Sequence, residues 1–113
     1  MIGSINGKII LKTEKFLIVE INGIGYKVNV SLDILSKAKK DAEIFLWIHT
    51  HVREDTLDLY GFLDREELEF FEMLINISGI GPKGALLILG ITSINTLKRA
   101  IGANDISYLT KIS

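Results

Sequence analysis

Ile77-Ser78-Gly79-Ile80-Gly81-Pro82-Lys83-Gly84 separates two apolar segments that both read as helices, and it determines how the second half of the chain folds. Upstream, residues 66–75 put Leu68, Phe71 and Ile75 on one helical face and leave Glu67, Glu69 and Glu72 for the surface. Downstream, Pro82 suits a first helical position, because the N–H it lacks would have had no partner there. Ala85, Leu86, Leu87, Ile88 and Leu89 continue the helix, and Gly90 is expected to end it. The connection is therefore short. Gly79 and Gly81 let it turn through backbone angles closed to other residues.

A corner of this kind turns backbone N–H groups outward at the positive end of a helix, where a phosphate can accept from them. Gly79, Ile80, Gly81, Lys83 and Gly84 are the candidate contacts, with the Lys83 ammonium adding charge at the same spot. Such a grip identifies no base and positions a sugar–phosphate backbone of any sequence. Taken alone, Gly-x-Gly between helices is more often a plain turn. Here apolar Ile80 lies between the glycines, Pro82-Lys83 follows and apolar helices flank the loop. Together these resemble the helix-hairpin-helix motif of DNA repair and recombination proteins.

The chain has 113 residues, room for one ordinary domain or two very small ones. Hydrophobic residues make up 48%, enough for a core and against wholesale disorder. Without cysteine there is no disulfide, thiolate zinc site or cysteine nucleophile, which fits a reducing cytoplasm. Met1-Ile2-Gly3-Ser4 opens directly into strand pattern rather than a signal peptide, and no apolar run reaches transmembrane length. Thirteen basic against fourteen acidic residues leave a net charge of −1. That counts against binding nucleic acid by a bulk positive field, but not against a cationic face combined with an acidic element elsewhere.

Residues 2–62 read as five strands. Residues 2–11 form the first, with Gly3 and Gly7 as expected bends or bulges. After the polar turn Thr13-Glu14-Lys15, residues 16–21 form the second, and Asn22-Gly23 signals a hairpin. The third, residues 24–30, puts Ile24, Tyr26, Val28 and Val30 on one face. Ser31 caps a short helix through Ile34, Leu35 and Ala38, and Lys37, Lys39 and Lys40 read as a solvated basic tail to it. Residues 43–52 form a long fourth strand, Arg53-Glu54-Asp55 a turn, and residues 56–62 the fifth. Five strands with a helix between the third and fourth is the element order of an OB-fold barrel.

From Leu63 the pattern becomes helical, and Asp64 with Glu67 has capping-box spacing. The expected organisation is an OB-fold barrel domain over 1–63 and a helix-hairpin-helix domain over 64–113. Within the latter, Thr92 or Ser93 caps a helix with Ile94, Leu97 and Ile101, Lys98 and Arg99 outside and Gly102 as stop. Asn104 caps a short helix with Ile106 and Leu109. Lys111-Ile112-Ser113 repeats the Ile77-Ser78 lead-in, so the chain reads as a fragment ending before a second phosphate-gripping loop.

Met1-Ile2-Gly3, Gly23-Ile24-Gly25-Tyr26, His51-Val52-Arg53-Glu54-Asp55, Leu59-Tyr60-Gly61-Phe62 and Ser78-Gly79-Ile80-Gly81-Pro82-Lys83 with Ala85 and Leu89 span nearly the whole chain. In combination they resemble the RuvA family of bacterial Holliday junction branch-migration proteins. The resemblance implies a barrel, two helix-hairpin-helix motifs and a mobile C-terminal domain that this chain lacks. It further implies a homotetramer that holds a four-way DNA junction open, a RuvB motor ATPase recruited through the missing domain, and a possible RuvC resolvase partner. Glu54 and Asp55 would then form an acidic pin at the tetramer centre that repels the crossover phosphates. Arg53 beside it is either the partner that orients the pin or a phosphate contact.

Two other readings stand beside this one. His49 and His51 alternate on one strand face near Glu54 and Asp55, so a metal or acid–base site can be imagined. No third ligand, P-loop or nucleophile motif accompanies them, and neither catalysis nor a cofactor is implied. A protein-interaction or plain duplex-binding module of the same architecture is the alternative, with the carboxylates at the tip serving solubility.

Overall fold

The computed structural model describes residues 1–77 and 79–91; the helices expected over 92–113 and the lead-in repeat at 111–113 lie outside the described residues. Alternation builds the first half. In β1 (Ser4–Lys12) Ile5, Gly7 and Ile9 point inward; in β2 (Phe16–Ile21) Leu17 and Val19 do. β3 (Ile24–Asn29) and β4 (Glu43–Val52) contribute Val28, Leu46, Ile48 and Thr50. With β5 (Leu57–Phe62) these strands close into a barrel ordered β1-β2-β3-β5-β4, antiparallel except for the β3–β5 pair. This is the expected OB-type barrel. Asn22 and Gly23 both take positive φ in the β2–β3 hairpin, as that turn requires.

Several local expectations need correction. The β1 irregularity falls between Ile9 and Leu11, not at Gly3 or Gly7. Gly7 is instead a close approach, since a Cβ there would run into the Glu20 carbonyl oxygen. Ile24 follows the period-two pattern but is 57% exposed, because the β2–β3 hairpin tip projects past the barrel core. α1 (Leu32–Lys37) forms as read, with the Ser31 side chain accepting from the Ile34 N–H at 3.3 Å.

β5 serves two cores. Leu59 points into the barrel, and a Cβ on Gly61 would sit 2.6 Å from Val28, so the barrel wall is tight there. Tyr60 and Phe62 point the other way, onto α2 (Arg65–Ile75). The buried stripe of α2 is Phe70, Phe71 and Leu74; Leu68 and Ile75, expected at its centre, lie at the margins. The Phe71 ring, fully buried, sits 4.9 Å from Phe62, 5.2 Å from Tyr60 and 5.3 Å from His49 (centroid distances). α3 (Pro82–Ile91) adds Ala85, Ile88 and Leu89 to this second core. Gly90 does not end α3. It lies within the helix, where α3 packs on the start of α1 and a Cβ would make ordinary contact with the Leu32 backbone nitrogen at 3.4 Å.

Of the anticipated capping box, the Asp64 side chain makes no cap bond, while the Asp64 backbone N–H lies close enough to the Glu67 carboxylate to favour its charged form. Burial, then the nearby Asp64 and Asp33 carboxylates, push the Glu67 carboxyl above its ordinary range. Among the described residues, no helix is long and apolar enough to cross a membrane.

Candidate nucleic-acid interface

The corner between α2 and α3 is built from its ends inward. α2 closes at Asn76, and the Ile77 N–H donates to the Leu74 carbonyl at 3.0 Å. The Ile80 N–H then donates to the Ile77 carbonyl at 3.1 Å, which folds the chain back sharply. Gly79 makes that fold possible with φ of +90°, a conformation that costs an L side chain about 1–2 kcal/mol. Gly81 needs no such freedom; a Cβ there would meet only open space. The Ala85 N–H donates to the Gly81 carbonyl at 2.9 Å and starts α3.

Ile80 therefore has a different part from its neighbours. Its side chain is 5% exposed and packs into the second core, and its N–H is used inside the turn. Its side chain anchors the corner. Gly79, Gly81 and Lys83 line the outer side of the corner, and Gly84 is half-buried. The N–H groups of Gly81, Lys83 and Gly84 have no acceptor among the described residues, so three unpaired donors lie at the α3 N-terminus with its partial positive charge. Lys83 also walls a half-open cleft of about 390 Å³ with Leu86, Leu87 and Tyr60, which lets its stem lie on apolar surface with the ammonium in water.

The β4–β5 turn is the opposite case. The Arg53 N–H donates to the Thr56 carbonyl at 2.9 Å, leaving Glu54 and Asp55 exposed at the tip. Neither carboxylate has a hydrogen-bond or ion-pair partner among the described residues. Of the two roles open for Arg53, orienting the acidic pair finds no support: its Nε donates to His51 Nε2 at 3.0 Å. His51 is thereby an acceptor at Nε2. His49 Nδ1 lies 2.8 Å from Glu72 Oε2 on α2. Both histidines have structural partners, and no group of three or more His, Cys, Asp or Glu residues could hold a metal among the described residues. Next to them, burial and then Asp58 raise the Tyr60 phenol above its usual value, with Arg53 opposing, so the phenol stays neutral.

Glu72 reads in the sequence as a plain surface residue. Its contact with His49 follows only once α2 docks on β4, and no local pattern announces it.

By its fold the chain belongs to the class of five-stranded OB-type barrels that carry a helical hairpin with an open glycine corner. Comparison with known proteins narrows it. The profile described as RuvA N terminal domain matches residues 1–61, and the one described as SAM-like Helix-hairpin-helix tandem matches residues 71–113. The chain is 41% identical over 112 residues to the Holliday junction branch migration complex subunit RuvA of Acetivibrio thermocellus, covering 98% of this chain and 55% of the relative. It is 44% identical over 108 residues to that of Clostridium beijerinckii, covering 95% and 54%, and 38% identical over 114 residues to that of Chlorobaculum parvum, covering 100% and 56%. The chain belongs to the RuvA family. It spans about half the length of the curated relatives it matches.

Proposed function

We propose that this protein is a DNA-binding subunit that recognises four-way junctions by their shape, irrespective of sequence, and holds them open for branch migration in recombination and repair. The observation that carries this reading is the pair of opposite, exposed features on one small body. Amides without acceptors and Lys83 lie at the α2–α3 corner, and unpaired Glu54 and Asp55 lie at the β4–β5 turn. The corner would hold arm phosphates through Gly79, Gly81, Lys83 and Gly84, with Ile80 fixing its shape. The carboxylates would act as a pin. Their field decays over about 8–10 Å at physiological salt, so they can discourage re-stacking of the crossover without driving off the arms.

The organisation that goes with this reading is a barrel domain over 1–63 and a helix-hairpin-helix domain over 64–113, working as a homotetramer around one junction. Motor activity would lie in a partner ATPase such as RuvB, with a resolvase such as RuvC acting on the same DNA, and the work is cytoplasmic. The relatives' name, a subunit of a Holliday junction branch migration complex, supports the junction and the shared complex.

The test is a gel shift against a four-way junction and a linear duplex of matched sequence. Tighter binding of the junction is expected, and equal affinity for both removes the proposal. Lys83→Ala should weaken both substrates together and reduce the log–log salt slope by about one for each phosphate that is no longer neutralised.

A further inference from the structure

Polar contacts run inward from the acidic turn and from the glycine corner and end on two neighbouring rings, His51 and His49. Arg53 Nε donates to His51 Nε2 at 3.0 Å, and the His51 and His49 rings are neighbours, 6.1 Å between centroids. His49 Nδ1 lies 2.8 Å from Glu72 Oε2. The Glu72 carbonyl accepts from Asn76 Nδ2 at 2.9 Å, and Asn76 is the residue at which α2 gives way to the corner.

We propose that the His49–Glu72 hydrogen bond is a positioning contact for junction selectivity: it locks α2 onto β4 so that the glycine corner keeps a fixed setting relative to Glu54 and Asp55. This inference rests on the junction-binding reading above. An ionised carboxylate only accepts, so His49 carries its proton on Nδ1, and the bond is directional. The aromatic contacts of Phe71 with Tyr60 and Phe62 are extensive, but apolar burial is largely non-directional and permits small rotations. His49, with its side chain 17% exposed and its ring against Phe71, is the fixed half of the pair; Glu72 is 48% exposed.

Magnitudes separate this role from mere stabilisation. With Glu72 half-exposed, the pair contributes only modestly to folding. Its leverage is geometric. Four residues of strand, about 13 Å, separate His49 from Arg53, and one helical turn, about 6 Å, separates Glu72 from Asn76. With screening over about 8 Å, a shift of a few ångströms between corner and turn changes which phosphates the carboxylates repel.

The test compares Glu72→Ala with Glu72→Gln, which still accepts from His49, in gel shifts with four-way junction and matched duplex. Glu72→Ala is expected to lower the junction-over-duplex affinity ratio by about 3- to 10-fold with duplex affinity nearly unchanged, and Glu72→Gln to keep the ratio. His49→Asn, which sets an amide donor near the place of Nδ1, should likewise keep it, whereas His49→Ala should lose it. An unchanged ratio in Glu72→Ala overturns the inference while leaving the junction reading intact. So does an equal loss on both substrates. Absence of any junction preference in the unsubstituted protein removes the reading itself.

Discussion

The β4–β5 turn and the α2–α3 corner are both short, exposed connections at the ends of well-packed elements, yet they carry charge by opposite means. At the turn, charge resides in two side chains, Glu54 and Asp55, on a backbone closed by one hydrogen bond. At the corner the positive charge is partial and belongs to unpaired backbone amides on a turn that Ile80 and Gly79 shape, with Lys83 as supplement. Each is therefore vulnerable in its own way. Side chains at the turn can change without disturbing the fold, whereas the corner fails through its buried anchor and its glycine.

Substitutions probe that contrast in order of size. Ile80→Ala, which empties a site in the second core, should cost about 2–5 kcal/mol in denaturant unfolding and weaken DNA binding although the side chain touches no ligand. Gly79→Ala should cost about 1–2 kcal/mol through its positive φ, while Gly81→Ala, with open space and no such backbone demand, should stay within about 0.5 kcal/mol. Equal costs for the two glycines would mean that the positive φ at Gly79 does not shape the corner. The smallest effect belongs to Glu67. Its raised carboxyl means the folded state binds the proton more tightly, so stability falls as pH rises from the unfolded value through the raised one and is not penalised below both. Glu67→Gln, which keeps an oxygen for the Asp64 N–H, should flatten that part of the pH profile and raise Tm slightly near neutral pH.

Much of this was legible in the sequence, for identifiable reasons. Period-two burial, Asn22-Gly23 and the Ser31 cap mark the barrel because each is a local requirement of backbone geometry. Gly79 and Pro82 mark the corner for the same reason. What escapes local reading depends on docking. Gly90 reads as a helix stop until α3 is seen to press on Leu32. The α2 stripe shifts to Phe70, Phe71 and Leu74 because Tyr60 and Phe62 wait on the outer face of β5. Glu72 reads as a solvated charge until His49 lies opposite it. Ile80 reads as a phosphate contact by its company between two glycines, and its place in the second core depends on docking.

On the proposed function, discrimination between junction and duplex lies with the carboxylates at the turn, not with the corner. The double substitution Glu54→Gln with Asp55→Asn, titrated against linear duplex and four-way junction beside the unsubstituted protein, puts that assignment to the test. Stability within about 0.5 kcal/mol of the unsubstituted protein, tighter duplex binding and a reduced junction preference are expected. Duplex affinity and junction preference both unchanged in that variant would contradict it.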